Sequence, residues 1–212
     1  MLVGITQRIE HVSSYDEWRD AIDQRLIEWV IKSSLFPVPI PNNLVDINQP
    51  NGFQYLLTEW LQTLNIEALL LSGGSDIGDS PQRDLTEKNL LLWAEKNRIP
   101  VLGICRGMQM MGVWSGESLI EVEGHVRTRH QLQITDDDFK LSLGTVNSYH
   151  NQVLQKCPLS FKILAKSTDG NIEAMAHREL PWEGWMWHPE RESVFSKNDL
   201  DRFNKLIERG KK

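Results

Sequence analysis

The chain of 212 residues carries a formal net charge of −6 and contains two cysteines. The negative charge disfavours nonspecific binding to nucleic acid and leaves a small-molecule substrate as the better expectation. Apolar runs are too short to span a membrane, no apolar leader opens the chain, and two cysteines do not make a disulfide framework, so we expect a cytoplasmic protein. The length fits one α/β domain over residues 1–212.

Short apolar runs alternate with segments of helical spacing in the first half of the chain. The predicted strands lie at 2–5, 68–71 and 100–104, the predicted helices at 15–34, 53–64, 85–96 and 108–114, and a proline-rich loop at 36–50. This alternation predicts an α/β fold with a doubly wound, mostly parallel sheet of the flavodoxin-like kind. Ligands of such sheets bind at the carboxyl ends of the strands.

Shorter segments with partial alternation fill the second half of the chain. We predict small strands and hairpins attached to the main sheet at 118–122, 131–135, 162–165 and 172–176. The last core strand is predicted at 185–187, and the final helix at 199–208.

The turn between the strand at 100–104 and the helix at 108–114 presents one thiol, that of Cys105. Gly103 and Gly107 flank it, and a sharp strand-to-helix turn requires such small neighbours. The start of a helix also favours thiolate over thiol. Cys105 is therefore a candidate nucleophile, and a buried structural cysteine is the alternative.

His188 and Glu190 stand two residues apart at the predicted end of the last core strand. Alternation along a strand would point both side chains to one face, where the carboxylate orients the imidazole towards Cys105. A surface histidine beside the charged residues 190–192 is the alternative. Because Cys105 also lies at a strand end, we favour a Cys-His-Glu triad.

An attacking thiolate needs hydrogen-bond donors for the oxyanion. The backbone N–H of Arg106 is one candidate, and the loop of Gly73 and Gly74, at another strand end, offers others because neither glycine has a Cβ. A plain turn is the alternative for the two glycines.

Together these motifs resemble the class I glutamine amidotransferase-like superfamily, and within it the stand-alone γ-glutamyl hydrolases of the peptidase C26 kind, over nearly the whole chain. The segments that carry the resemblance are Gly4-Ile5-Thr6-Gln7-Arg8, Ser72-Gly73-Gly74, Gly103-Ile104-Cys105-Arg106-Gly107 with Gln109, Asn147-Ser148-Tyr149-His150-Asn151-Gln152, Asn171-Ile172-Glu173-Ala174 and Trp187-His188-Pro189-Glu190. The resemblance implies hydrolysis of a γ-glutamyl amide through a glutamyl thioester. Within the branch, the chain looks most like the γ-glutamyl-CDP-amidate hydrolases of capsule phosphoramidate synthesis, which implies cytidine diphosphoramidate and glutamate as products.

By the same resemblance, Gln109, Ser148, His150, Asn151 and Gln152 would bind the glutamyl group. The residues alone leave other interpretations open: Gln109 could cap its helix or face solvent, and Ser148 and His150 could be satisfied polar residues at a strand end.

A basic cluster of His125, Arg127, Arg129 and His130 could meet a pyrophosphate, but we interpret it as a hairpin surface. The guanidinium of Arg106 could likewise meet a phosphate, with an exposed ion pair as the alternative.

The expected partner is a small γ-glutamyl substrate, nucleotide-linked by the resemblance, with no nucleic acid, no membrane, no cofactor and no metal. A homodimer stays open, because the eight tryptophans do not by themselves mark an interface. Rival functions are hydrolysis of another γ-glutamyl amide such as γ-glutamyl-aminobutyrate, the glutaminase subunit of an amidotransferase, and a non-catalytic binding protein on the same fold.

Overall fold

A computed structural model describes residues 1–49, 55–136, 139 and 144–210. Its strands are β1 (Leu2–Thr6), β2 (Arg8–Val12), β3 (Glu17–Ala21), β4 (Phe36–Ile40), β5 (Ala68–Leu71), β6 (Val101–Ile104), β7 (Leu119–Glu121), β8 (Val126–Gln131), β9 (Gln133–Ile134), β10 (Thr145–Tyr149), β11 (Gln152–Leu154), β12 (Phe161–Lys166), β13 (Ile172–His177) and β14 (Trp182–Trp185). Its helices are α1 (Gln24–Lys32), α2 (Tyr55–Thr63), α3 (Pro81–Asn97), α4 (Arg106–Trp114) and α5 (Lys197–Arg209).

Within the described residues, the central sheet has eight strands in the order β4-β1-β5-β6-β14-β13-β12-β9. Strands β4, β1, β5, β6 and β14 pair in parallel, and β13, β12 and β9 continue the sheet in antiparallel pairs. Three two-stranded sheets, β2 with β3, β7 with β11 and β8 with β10, lie outside it. The predicted α/β fold with a mostly parallel sheet and added hairpins is confirmed.

Helices cover both faces of the sheet, as a doubly wound fold requires. In β5, Ala68 and Leu70 pack with the apolar residues of α1 and α5, whereas Leu69 and Leu71 pack with those of α2, α3 and α4. Burial on both faces explains why this strand is apolar at every position. Among the described residues, no helix is both long and apolar enough to cross a membrane.

The predicted helix at 15–34 is wrong over its first part. The hairpin of β2 and β3 occupies 8–21, and the helix begins only after Asp23, whose side chain accepts a hydrogen bond from the backbone N–H of Arg25. Trp18 matched the helical spacing, but its side chain lies on the hairpin and is 70% exposed. An N-cap aspartate was the local signal for the true start.

The predicted loop at 36–50 is also wrong in part, because β4 forms there. It is the edge strand of the central sheet, and it pairs with β1 along one side only. Pro37 and Pro39 are two residues apart, so both can turn their missing N–H to the unpaired side. Residue 50, and the first two residues of the helix predicted at 53–64, lie outside the described residues.

In the second half, the segments predicted at 162–165 and 172–176 are β12 and β13, which are full members of the central sheet. The last core strand ends at Trp185 instead of beginning there. Strands β8, β10 and β11 were not predicted. β10 buries the polar residues Asn147 and Ser148, β8 has no buried residue, and β11 has only three residues, so none of them shows a clear apolar alternation.

Candidate active site

The carboxyl ends of β1, β5, β6 and β14 meet at one edge of the sheet, because these strands are parallel neighbours. The residues that follow them include Arg8, Gly73, Cys105 and His188. This edge is where doubly wound sheets bind their ligands.

Cys105 occupies a strained turn between β6 and α4. Its φ is 50°, in the left-handed region that non-glycine residues rarely adopt, and its N–H donates to the carbonyl of Trp185 at 2.7 Å. At Gly107 any Cβ would collide with the carbonyl oxygen of Leu71, so only glycine lets α4 pack this close to β5. The turn holds the sulfur at the N-terminus of α4.

His188 and Glu190 form a buried pair, in which the Nδ1 of His188 lies 2.6 Å from the Oε1 of Glu190. The reason given from the sequence was wrong, since the strand has ended at Trp185 and Glu190 lies in a short 3₁₀ turn, Pro189–Arg191. That turn, and not strand alternation, brings the carboxylate back to the imidazole.

Asn147 fixes the backbone of His188 from the neighbouring β10. Its Nδ2 donates to the His188 carbonyl at 2.7 Å, and its Oδ1 accepts from the His188 N–H at 2.9 Å. No role for Asn147 was predicted, although it lies in the segment 147–152 that carries the resemblance. A long-range contact of this kind leaves no mark in local sequence.

The environment of His188 favours its charged form. Burial by itself lowers the pKa of this imidazole, but the Glu190 carboxylate and the Cys105 sulfur, each through charge and a hydrogen bond, outweigh it and raise the pKa to about 9. At neutral pH, His188 is therefore an imidazolium beside the sulfur of Cys105.

Gly73 lies directly against the imidazole. A Cβ at this position would be 2.6 Å from the Cε1 of His188, so the loop after β5 can pass the ring only as glycine. The backbone of Arg106 opens α4 directly after Cys105. Gly73 and Arg106 thus border Cys105 and His188 from two sides, while Gly74 lies against the guanidinium of Arg83.

The side chain of Arg106 corrects both expectations made for it. It is 1% exposed, so it is neither a surface ion pair nor free to meet a phosphate, and it is ion-paired with Asp84 and Glu87 of α3. Burial raises the pKa of Glu87, but the guanidiniums of Arg106 and Arg83 outweigh this and lower it below its usual value.

Arg83 connects this buried network to the glycine loop. Its Nη2 donates to the carbonyls of Ser72 at 2.7 Å and Gly73 at 3.1 Å, and its Nε donates to Glu87 at 3.0 Å. No role was predicted for Arg83 or Glu87, because the helix was predicted to begin only at residue 85, whereas α3 begins at Pro81 and includes both residues at the spacing of four that is typical of an ion pair. The network holds the glycine loop and the start of α4 together.

The predicted glutamyl-binding residues differ in exposure: three have buried side chains, and Asn151 is exposed. Gln109 is buried, neither caps its helix nor faces solvent, and its Nε2 donates to the carbonyl of Gln152 at 2.8 Å. Ser148 is fully buried and donates to the carbonyl of His125 at 2.6 Å. His150 is buried away from solvent, and Asn151 is exposed.

The predicted basic cluster is not a hairpin surface as a whole. His125 is 1% exposed, and His130 is partly buried, with burial lowering its pKa. Arg127 is exposed, and Arg129 is half-exposed and paired with Glu192 at 3.0 Å. His130 and Arg129 are neighbours on β8 and therefore face opposite sides, inward and outward, whereas His125 precedes the strand and is buried outside this alternation.

Residues 1–190 match the peptidase C26 family. This chain belongs to the peptidase C26 family. Among its relatives is the γ-glutamyl-CDP-amidate hydrolase of Campylobacter jejuni, which is 30% identical and aligned over 91% of this chain and 92% of that protein. A glutamine-hydrolysing GMP synthase subunit from Methanothermobacter thermautotrophicus is 33% identical over 84% of this chain and 86% of that protein.

Solved structures share the fold. A glutamine amidotransferase from Thermotoga maritima superimposes with a TM-score of 0.61 at 16% identity and covers 99% of this chain and 85% of that one. Family membership and these relatives identify the chain as a glutamine-amidotransferase-like amide hydrolase. The recognition made from the sequence motifs is confirmed at this level.

Proposed function

We propose that this protein hydrolyses a γ-glutamyl amide, with Cys105 as nucleophile, His188 as proton carrier and Glu190 as the group that orients His188. The observation that carries the proposal is the buried His188–Glu190 pair, 2.6 Å apart, with the imidazole pKa raised to about 9 beside the sulfur of Cys105. A thiolate next to an imidazolium is ready to attack a carbonyl without first losing a proton.

In the first half of the reaction, the Cys105 thiolate attacks the γ-carbonyl carbon. Backbone N–H groups of Gly73, Gly74 and Arg106 stabilise the oxyanion. The imidazolium of His188 gives its proton to the leaving nitrogen, the C–N bond breaks, and a glutamyl thioester remains on Cys105. Gln109 and the backbone of 148–152 bind the glutamyl group.

In the second half, neutral His188 takes a proton from water, and the hydroxide attacks the thioester. Breaking the C–S bond releases glutamate and returns the thiolate, while His188 keeps the proton as an imidazolium. Each turnover consumes one water and needs no redox partner.

We further propose γ-glutamyl-CDP-amidate as the substrate, cleaved to cytidine diphosphoramidate and glutamate. The relative from Campylobacter jejuni supports this choice. Arg8 and Arg191 also support it, because they line a small opening beside Gly73 and His188, where two guanidiniums suit a diphosphate.

The hairpin of β2 and β3 supplies room for the nucleoside. Arg8 pairs with Ala21 at its base, and one residue further Ile9 pairs with Asp20. Ile9, Trp18 and Asp20 line a separate cleft of about 550 Å³ on this hairpin. The exposed indole of Trp18 offers a face on which a pyrimidine base can stack.

The decisive assay compares glutamate release by the isolated protein from γ-glutamyl-CDP-amidate, γ-glutamyl-aminobutyrate and glutamine. We expect the nucleotide conjugate to have the highest kcat/KM, and Cys105→Ala to abolish release from every substrate. Unchanged release by Cys105→Ala would overturn the triad. A higher kcat/KM for γ-glutamyl-aminobutyrate would leave the triad standing and overturn the substrate.

Trp18→Ala tests the cleft separately. We expect it to raise KM for γ-glutamyl-CDP-amidate about tenfold, as loss of one base stack predicts, and to leave γ-glutamyl-aminobutyrate unaffected. Tyr15→Ala is the matched control, because Tyr15 is an exposed aromatic near the tip of the same hairpin and does not line the cleft. If Trp18→Ala and Tyr15→Ala changed KM equally for γ-glutamyl-CDP-amidate and for γ-glutamyl-aminobutyrate, Trp18 would not be the base-stacking residue.

A second candidate is the glutaminase subunit of an amidotransferase, favoured by the relative that belongs to a glutamine-hydrolysing GMP synthase. It would use the same thioester chemistry and pass ammonia to a synthase partner. Glutamine hydrolysis that is negligible for the isolated chain and rises when a synthase partner is added would favour it. A non-catalytic binding protein is excluded if a γ-glutamyl-directed electrophile forms an adduct on Cys105.

A further inference from the structure

A second cluster of chemically reactive groups lies apart from Cys105 and its partners. It consists of His125, His130, His150 and Glu173, called here the His₃Glu cluster. One potential ligand atom from each side chain lies within 4.8 Å of the others. Three of the four side chains are at most 2% exposed, and His130 is partly buried.

The polar atoms of this cluster lack hydrogen-bond partners within the described structure. They are the Nδ1 of His125, the Nε2 of His130, both ring nitrogens of His150 and both carboxylate oxygens of Glu173. Buried polar atoms are almost always paired, and an unpaired buried carboxylate is especially costly. So many unpaired ligand atoms around one point indicate that something polar belongs between them.

Direct pairing among the four side chains does not satisfy them. The Oε1 of Glu173 is 3.7 Å from the Nε2 of His150 and 3.9 Å from the Nδ1 of His125, which is too long for a hydrogen bond. Tetrahedral zinc with bonds of about 2.0–2.1 Å holds its ligand atoms roughly 3.3 Å apart. These two contacts exceed that separation by a few tenths of an ångström, and no two of the four ligand atoms lie more than 4.8 Å apart.

The surroundings also fit a metal centre. The other ring nitrogen of His125, Nε2, lies 2.7 Å from the carboxylate of Asp169, which in turn accepts a hydrogen bond from Ser167. A carboxylate behind the imidazole is the usual support of a metal-binding histidine, because it fixes the ring and its tautomer. Asp169 thus leaves the Nδ1 of His125 facing the cluster.

We propose that the His₃Glu cluster binds one divalent transition-metal ion, with Zn²⁺ the best match to three imidazoles and one carboxylate. Neutral imidazoles and a carboxylate are preferred ligands of such ions, whereas an anion such as pyrophosphate would be repelled by Glu173. Four protein ligands close the coordination sphere, so the site is structural.

The site would fasten the two-stranded sheet of β8 and β10 to the central sheet. His130 lies on β8, His150 follows β10, and Glu173 lies on β13 of the central sheet. Strand β10 also carries Asn147, which holds the backbone of His188. A metal ion at one end of β10 would therefore steady the strand that positions His188.

The test is metal analysis of the full chain purified without a histidine tag, in a Cys105→Ser, Cys157→Ser background that removes both thiols as competing ligands. After stripping with a chelator and desalting, the protein is given zinc or cobalt and desalted again. We expect about one ion to be retained per chain and a cobalt absorption spectrum of tetrahedral type without thiolate charge transfer. Zinc in excess should raise Tm by roughly 5–10 °C.

Glu173→Gln and His130→Asn should each lose the retained ion and the Tm shift. His11→Asn is the matched control, since His11 lies on the β2–β3 hairpin outside the cluster and should keep both. Absence of zinc and cobalt binding by the stripped parent chain would overturn the proposal, whatever the folding of the variants. Equal metal retention by the parent and both cluster variants would also overturn it.

Discussion

Replacing Glu190 by Gln tests the electrostatics of the active site most directly. The amide can still accept a hydrogen bond from the Nδ1 of His188, now 2.6 Å from the carboxylate, but it carries no charge. Burial lowers the pKa of His188, and Glu190 is the largest influence that raises it to about 9. Without the carboxylate, we expect this pKa to fall to about its ordinary value of 6.5 or below.

The size of the effect follows from that difference. A shift from about 6.5 to about 9 corresponds to roughly 3 kcal/mol in favour of the imidazolium. At a pH of about 7.5, the protonated fraction of His188 would fall from nearly all of the molecules to about one tenth in Glu190→Gln. The proton for the leaving nitrogen would then be missing in most molecules, so kcat/KM should fall at least tenfold.

The assay is the pH dependence of kcat/KM, which reports the ionisations of the free enzyme. The parent should lose activity as the pH rises through about 9, and Glu190→Gln should lose it about two units lower. Arg191, whose Nε lies 3.8 Å from Oε1 of Glu190, stays in the variant. Its positive charge disfavours protonation of His188 and so lowers the pKa of the imidazole further. An alkaline limb at the same pH in both proteins would refute the reasoning.

The same shift links protonation to folding. Because the pKa of His188 is higher in the folded chain than in the unfolded one, the charged form stabilises the fold. This contribution is fully present below about pH 6.5 and is lost as the pH rises through about 9. Urea unfolding of Glu190→Gln should therefore show less loss of stability between these values than unfolding of the parent.

Three further changes have defined outcomes. Glu87→Gln removes a buried carboxylate partner of two guanidiniums and should lower the free energy of unfolding in urea by about 3 kcal/mol. Lys197→Gln, at an exposed ion pair, is the control and should cost under about 1 kcal/mol; similar losses would contradict the role of the network. Gly73→Ala puts a Cβ 2.6 Å from the ring of His188 and should lower kcat at least about tenfold with little change in Tm, so full activity would count against this contact. Asn147→Ala removes both hydrogen bonds to the His188 backbone and should lower kcat more than KM; a change in KM alone would disagree.

The parallel core was predictable because burial on both faces leaves a local mark. Residues 68–71 and 101–104 are apolar or glycine throughout, and both strands formed where the sequence indicated. The turn at Cys105 was predictable for a similar reason, since close packing of α4 on β5 demands glycine at 107. Both constraints leave their mark within a few residues of sequence, even where the contact itself is with a distant strand.

The segments that were mispredicted depend on contacts with distant parts of the chain. The β2–β3 hairpin is a ribbon outside the central sheet with few buried side chains, so neither strand shows apolar alternation. The His₃Glu cluster brings the turn before β8 against β13, and no spacing rule connects residues so far apart. The His188–Glu190 pair was expected for the wrong reason, because a 3₁₀ turn and a strand can both bring together residues two apart.

The well-predicted parallel strands and the mispredicted β2–β3 hairpin would have different roles in the proposed reaction. The groups that would act on the glutamyl half lie at the ends of parallel strands and at the start of α4, where the packing of Gly73 and Gly107 tolerates no change. Apart from Arg191, the groups that would meet the leaving half lie on the β2–β3 hairpin, where Trp18 is exposed and packing constrains little. A hydrolase and a glutaminase that share the thioester chemistry can therefore differ in this hairpin while keeping the turn at Cys105. Exchanging residues 8–21 between this chain and the GMP synthase relative from Methanothermobacter thermautotrophicus should then change which amide is cleaved and leave alkylation of Cys105 unaltered.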